Sequence, residues 1–148
     1  MNPGKLPPPL PGEVIRYAYL WATEADDGQE EGIKDRPCAV VVTVRHEEGD
    51  DEVLVVPITS REPGTLHDGI ELPETTRRRL GLQKGRCWIL VSELNRFVWP
   101  GPDLRPVGHP NSPFYSYGLS PASLFQRIKA SILSRARAKK LRTVPRSK

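Results

Sequence analysis

Two short runs built mainly of valine and its β-branched neighbours frame the fold. Residues 36–45 read RPCAVVVTVR and residues 52–58 read EVLVVPI, joined by the charged turn HEEGDD. Branching at Cβ costs a side chain rotamer freedom in a helix and suits the pleated strand. Neither run alternates polar with apolar, and short continuous apolar runs belong to strands covered on both faces. The pair therefore predicts a hairpin at the centre of a sheet.

The rest of the chain supplies partners for that hairpin. Residues 1–11 carry five prolines and read as a stiff polyproline arm outside the core. Residues 13–21 (EVIRYAYLW) predict the first strand, and residues 22–35 an acidic loop long enough to carry function. Residues 66–72 add a weak strand, residues 73–80 a short helix, and residues 86–94 and 96–99 further strands. Residues 100–113, rich in proline, read as a loop. Ser120 as N-cap and Pro121 at the first helical position then open an amphipathic helix. Its apolar face is Leu124, Phe125, Ile128, Ile132, Leu133 and Ala136. With no repeat and no βαβ alternation, the order predicts a mainly β (α+β) fold: a small, mostly antiparallel barrel with a helix packed on it.

At 148 residues, one domain accounts for the whole chain. We expect an arm at 1–11, the barrel with its helix at 12–137, and a basic tail at 138–148. Cys38 and Cys87 form neither a C-x-x-C pair nor a zinc pattern, so they read as buried thiols with no metal or other cofactor implied. No apolar run is long enough to span a membrane, and the first residues lack the apolar stretch of a signal peptide. The expectation is a cytoplasmic protein. Charge is uneven: from Pro121 onward there are nine basic residues and no acidic one, while acidic residues outnumber basic ones before it. Such a segment suits a polyanion or an acidic protein, or is simply a solvated helix end.

Four segments in order resemble the PemK/MazF family of toxin–antitoxin ribonucleases. They are Gly12-Glu13-Val14-Ile15, the acidic loop ending QEEGIKD, Arg36-Pro37 with the apolar strand that follows, and Val55-Val56-Pro57-Ile58-Thr59-Ser60. The resemblance covers residues 12–137. It implies an SH3-like barrel, a homodimer, metal-independent cleavage of single-stranded RNA, and silencing by a cognate antitoxin protein. It also implies that Arg36 and Thr59 are catalytic, with Ser60 beside them on the substrate and Glu31 contributing five positions before the arginine. Where some members carry a histidine, this chain has Glu30. In the PemK branch a later strand supplies an arginine and, two residues on, an aspartate. Val91 and Glu93 stand there, so the carboxylate is kept in kind and Arg96 is the candidate replacement for the lost arginine.

These residue types suit the reaction. Cleavage without a metal needs a base for the 2′-hydroxyl, a cation for the phosphorane and a proton for the leaving oxygen. A guanidinium at Arg36 can hold two phosphate oxygens at once, and the Thr59 hydroxyl can position them. Glu31 or Glu93 can act as base if its surroundings raise its pKa. Arg77 and Arg78, within the run TTRRR, are candidate phosphate contacts. Phe97, Trp99, Phe114, Tyr115 and Tyr117 are candidates for stacking on bases or for packing. His46, His67 and His109 read as surface histidines. The alternative, from another functional class, is a non-catalytic module of the same fold that binds nucleic acid or protein, like a gyrase-inhibiting toxin.

Overall fold

The computed structural model describes residues 6–28, 34–65, 68–82 and 85–146. Its centre is the predicted hairpin, β2 (Arg36–Val44) and β3 (Glu52–Thr59), paired antiparallel from Cys38↔Pro57 to Val44↔Glu52 with a bulge between Val40 and Val42. β1 (Glu13–Tyr17) lies along the other edge of β2, and β7 (Ser116–Leu119) along the far edge of β1. β3 has two partners on its outer side. Residues Glu52 to Val55 pair with β6 (Glu93–Val98), and Ile58 and Thr59 pair with β5 (Trp88–Leu90), which also holds β4 (Gly69–Glu71). The changeover falls at Val56 and Pro57. Proline has no N–H for a ladder, so the strand tolerates it where one neighbour ends and the next begins.

Both faces of the hairpin are covered, as its continuous apolar character requires. One core joins Ala39, Val41, Val56 and Ile58 to Ile89, Leu94 and the helix residues Leu124, Ile128 and Ile132. The other joins Cys38, Val40, Val53 and Val55 to Ile15, Tyr17, Tyr19, Phe97 and Trp99. Each fully buried aliphatic side chain contributes about 1.5–3 kcal/mol, so these two clusters dominate stability. The long helix α3 (Ala122–Arg137) follows its apolar period at Leu124, Ile128 and Ile132, but Leu133 faces solvent.

The architecture is a mainly β, largely antiparallel eight-stranded sheet with this helix packed on it. No pairing among the described residues joins β7 to β4 or to β8, so the sheet is open where a closed barrel was expected. Other expectations are corrected in detail. The loop expected over 22–35 begins with a short helix, α1 (Ala22–Asp26), because the Trp21 N–H reaches Glu24 Oε1 at 2.9 Å and the Ala22 N–H reaches Glu93 Oε1 at 2.9 Å. α2 (Glu74–Arg79) lies where a short helix was expected. Ser120 does not cap α3; its hydroxyl donates to the Gly12 carbonyl at 2.7 Å, and Pro121 is the N-cap. Gly12 itself adopts φ +93°, a conformation that L side chains rarely take, which explains the glycine at the entry to β1. The proline arm is not detached: Pro9 is buried, its carbonyl accepts the Thr43 hydroxyl at 2.9 Å, and the Leu6 carbonyl accepts Trp99 Nε1–H at 3.0 Å.

The largest departure is the basic tail. Residues 138–148 were expected as a basic tail outside the barrel domain, yet they contain β8 (Arg142–Pro145), which runs parallel to β6. Val144 is buried with Leu20 and Ala22. Arg142 pairs with Asp26 at 2.8 Å, binding the strand to α1. Arg146 is buried. Its guanidinium donates to the Ala18 carbonyl at 2.7 Å and to Asn95 Oδ1 at 3.2 Å, pairs with Asp103 at 2.9 Å, and lies over the Tyr17 ring. Removing one partner of a buried ion pair strands the other charge, which costs about 3–5 kcal/mol. Arg146→Ala is therefore expected to lower unfolding free energy by about that amount, measured by urea denaturation. A loss below about 1 kcal/mol would mean the pair behaves as a surface contact.

Candidate functional site

The hairpin register decides the geometry of the site. Two residues beyond the Cys38–Pro57 pair, the same register brings Arg36, at the start of β2, opposite Thr59, at the end of β3. Residues directly opposite on neighbouring strands point to the same face. The two side chains line one cleft of about 70 Å³, together with Lys34, Asp35, Pro37, Ser60 and the apolar wall of Ile58, Leu82 and Cys87. Its size suits a few waters or one tetrahedral anion, so a longer ligand has to lie across its mouth.

Arg36 is half-buried, with its guanidinium 4.9 Å from the centre of the Trp21 ring. Its Nε is buried without a hydrogen-bond partner, and no carboxylate pairs with it among the described residues. The preceding Asp35 is directed instead to Arg16 and Arg105, at 3.9 and 3.4 Å. A half-buried guanidinium with a spare Nε–H beside a cleft suits an anion, because a partly desolvated charge gains from a counter-charge. Thr59 is buried, and its Oγ1 accepts the Arg61 N–H at 3.1 Å, which leaves the hydroxyl proton free to donate. Ser60 is exposed at the rim.

Glu93 takes a different place. It does not line the cleft. Its Oε1 accepts the Tyr19 hydroxyl at 3.1 Å and the Ala22 N–H at 2.9 Å. Burial raises the Glu93 pKa above the ordinary carboxylate range, against those hydrogen bonds, which pull it down. Burial, and next the Glu93 charge, raise the Tyr19 hydroxyl as well. The Tyr19 ring meets the Trp21 ring edge-on at 5.2 Å, and Trp21 carries Arg36, so Glu93 touches the cleft only through two aromatic rings.

The remaining candidates separate. Glu31, like Glu30 and His67, lies outside the described residues. Arg96 is exposed on β6 opposite Leu54, five residues from Thr59 along β3, or roughly 17 Å at 3.4 Å per residue. Its side chain shares the face of Leu94 and Leu54, not that of Arg36, so it does not replace the missing arginine. Arg77 is buried on α2 near Glu74, and Arg78 binds Glu74 at 2.7 Å on the exposed side. Neither lines the cleft. Trp21, Asp35, Arg16 and Arg105 were missed; only the ends of predicted segments marked the first two.

No protein-family model matches the chain, and a search of curated proteins finds no match.

The Glu93 environment has a measurable consequence. A carboxyl with a raised folded-state pKa keeps its proton longer when folded, so its contribution to stability is full below the unfolded value and is lost as pH rises through the folded one. Glu93→Gln keeps an oxygen for Tyr19 and Ala22 without the charge. We expect its unfolding free energy to equal or exceed the wild type at pH 7, and to lose the part of the decline that begins above about pH 4.3. Unchanged pH profiles in denaturation experiments would refute the assignment.

Proposed function

We propose that this chain is a metal-independent endoribonuclease acting on single-stranded RNA, the toxin of a type II toxin–antitoxin pair built on an SH3-like curl of the sheet. The observation that carries the reading is the shared cleft of Arg36 and Thr59, with a guanidinium that lacks a carboxylate partner among the described residues. In this scheme the scissile phosphate enters the cleft. The 2′-oxygen attacks phosphorus, the bond to the 5′-oxygen breaks, and the products are a 2′,3′-cyclic phosphate and a 5′-hydroxyl. Arg36 stabilises the extra negative charge of the phosphorane, and the Thr59 hydroxyl donates to a non-bridging oxygen. The 2′-hydroxyl gives up its proton to a base, and the leaving oxygen gains one. Glu93, held by Tyr19 and α1, is a positioning residue beneath Trp21 rather than that base; Glu31 is the candidate that the family resemblance leaves.

The protein partners belong to the same reading. A second copy forms the homodimer, and an acidic antitoxin meets the exposed cations of α3 and the turn after it, Arg127, Lys129, Arg137, Lys139 and Lys140. Glu93's distance from the cleft favours a second reading, a module that binds RNA in this cleft without cutting it.

One experiment separates them. Purified protein with a mixed RNA in EDTA is expected to give defined fragments ending in cyclic phosphate. Arg36→Ala should slow cleavage by about 10²-fold or more while circular dichroism stays unchanged, and Arg36→Lys should recover only part, because an ammonium lacks the planar fork. Undiminished cleavage by Arg36→Ala overturns the assignment. Intact RNA that nevertheless binds the wild-type protein favours the second reading.

A further inference from the structure

A second recess adjoins the Arg36 cleft and shares Asp35 with it. It holds about 440 Å³ and is lined by Arg16, Arg105 and His109 with Pro106, Gly108 and Pro110. Backbone groups hold both arginines in place. The Arg105 N–H donates to the Arg16 carbonyl at 2.9 Å, Arg16 Nη1 donates to the Pro106 carbonyl at 3.3 Å, and Arg105 Nη1 to the Pro102 carbonyl at 2.8 Å. Their counter-charge is Asp35, at 3.9 and 3.4 Å, long for a charge-assisted pair and about one-third exposed. Asp103 also approaches Arg105, at 4.0 Å, but is committed to the buried Arg146 at 2.9 Å. Asp35, held at these long distances by Arg16 and Arg105, also lines the Arg36 cleft.

The backbone of an exposed aromatic residue runs next to this basic recess. The Val107 N–H donates to the Phe114 carbonyl at 2.7 Å, and the Arg16 N–H to the Tyr115 carbonyl at 2.9 Å, so residues 114–115 run beside the arginines. Phe114 is 71% exposed, the most exposed large apolar side chain described, and it joins neither core. Cations beside a bare aromatic face are the two elements that grip an unpaired nucleotide, one for its phosphate and one for its base.

We propose that the Arg16–Arg105 recess is a second phosphate site, which takes a backbone phosphate of single-stranded RNA neighbouring the one in the Arg36 cleft. Phe114 stacks on a base of that strand, and Asp35 is the internal anion that the RNA displaces from Arg16 and Arg105. This inference rests on the RNA-cleaving reading above.

The test uses the full chain and single-stranded 2′-O-methyl RNA oligonucleotides of mixed sequence, which resist cleavage, with anisotropy titrations over a range of salt. Arg105→Gln is expected to weaken binding about tenfold and to reduce the slope of log K against log salt by about 0.7, one released counterion for single-stranded RNA. Arg105→Lys keeps that slope. Asp35→Asn tightens binding, an effect that a merely structural role for Asp35 does not produce. Phe114→Ala weakens binding by roughly tenfold with the slope unchanged. If the wild type binds and cleaves RNA while Arg105→Gln and Asp35→Asn match it in affinity and slope, this inference fails and the proposed function stands. If the wild type does not bind the oligonucleotide, both fail. Capture of poly-glutamate in place of RNA assigns the recess to an acidic protein and overturns the proposal.

Discussion

The pairing of β2 with β3 is the constraint on which the rest of the molecule depends. Its register sets which side chains enter each of the two cores, and a slip of one residue would exchange those faces. The same register sets Arg36 against Thr59. Pro57 adds the second condition: by interrupting the outer ladder of β3 it lets the strand leave β6 and take up β5, so that Thr59 ends over the Leu82 and Cys87 wall. Fold and cleft are consequences of one hairpin.

Around that hairpin, charge is distributed in two ways. Deep inside, Arg146 and Asp103 are matched to each other, to an amide and to a carbonyl, and serve to join β8 to the sheet. At the cleft the matching is deliberately poor. Arg36 rests on a ring and pairs with no carboxylate among the described residues, and Asp35 serves two arginines at a distance from both. The contrast lies in the acid: Arg146 has Asp103 at 2.9 Å, whereas no carboxylate pairs with Arg36 among the described residues, and a cation without its acid favours an anionic visitor.

How much of this was legible in the sequence follows from the range of each signal. The valine runs, the turn between them and the period of Leu124, Ile128 and Ile132 are local patterns, and they located the hairpin and the helix. Arg36 and Thr59 were singled out by the family resemblance, and the hairpin explains why they share a cleft: antiparallel pairing sets the start of β2 beside the end of β3. Elements held by distant partners were not. α1 depends on a carboxylate seventy-one residues away at Glu93, and β8 depends on a parallel neighbour and on Arg146 reaching Asp103. Nothing in the polar strings around residues 22–26 or 142–146 announces those contacts. Arg96 was misplaced for a related reason: proximity in sequence to Glu93 does not determine the face of a strand, and alternation turns it away.

The clamp made by β8 has a consequence for synthesis. Arg142 and Val144 brace α1 and the segment that leads into Trp21, the ring on which Arg36 rests. Ribosomes deliver residues in order, so the hairpin emerges with its partners β1, β5 and β6 while the brace is still to be made. Until residues 142–146 arrive, the ring beneath the guanidinium lacks its support. A nascent chain therefore completes the support beneath Arg36 only once residues 142–146 have followed the hairpin out.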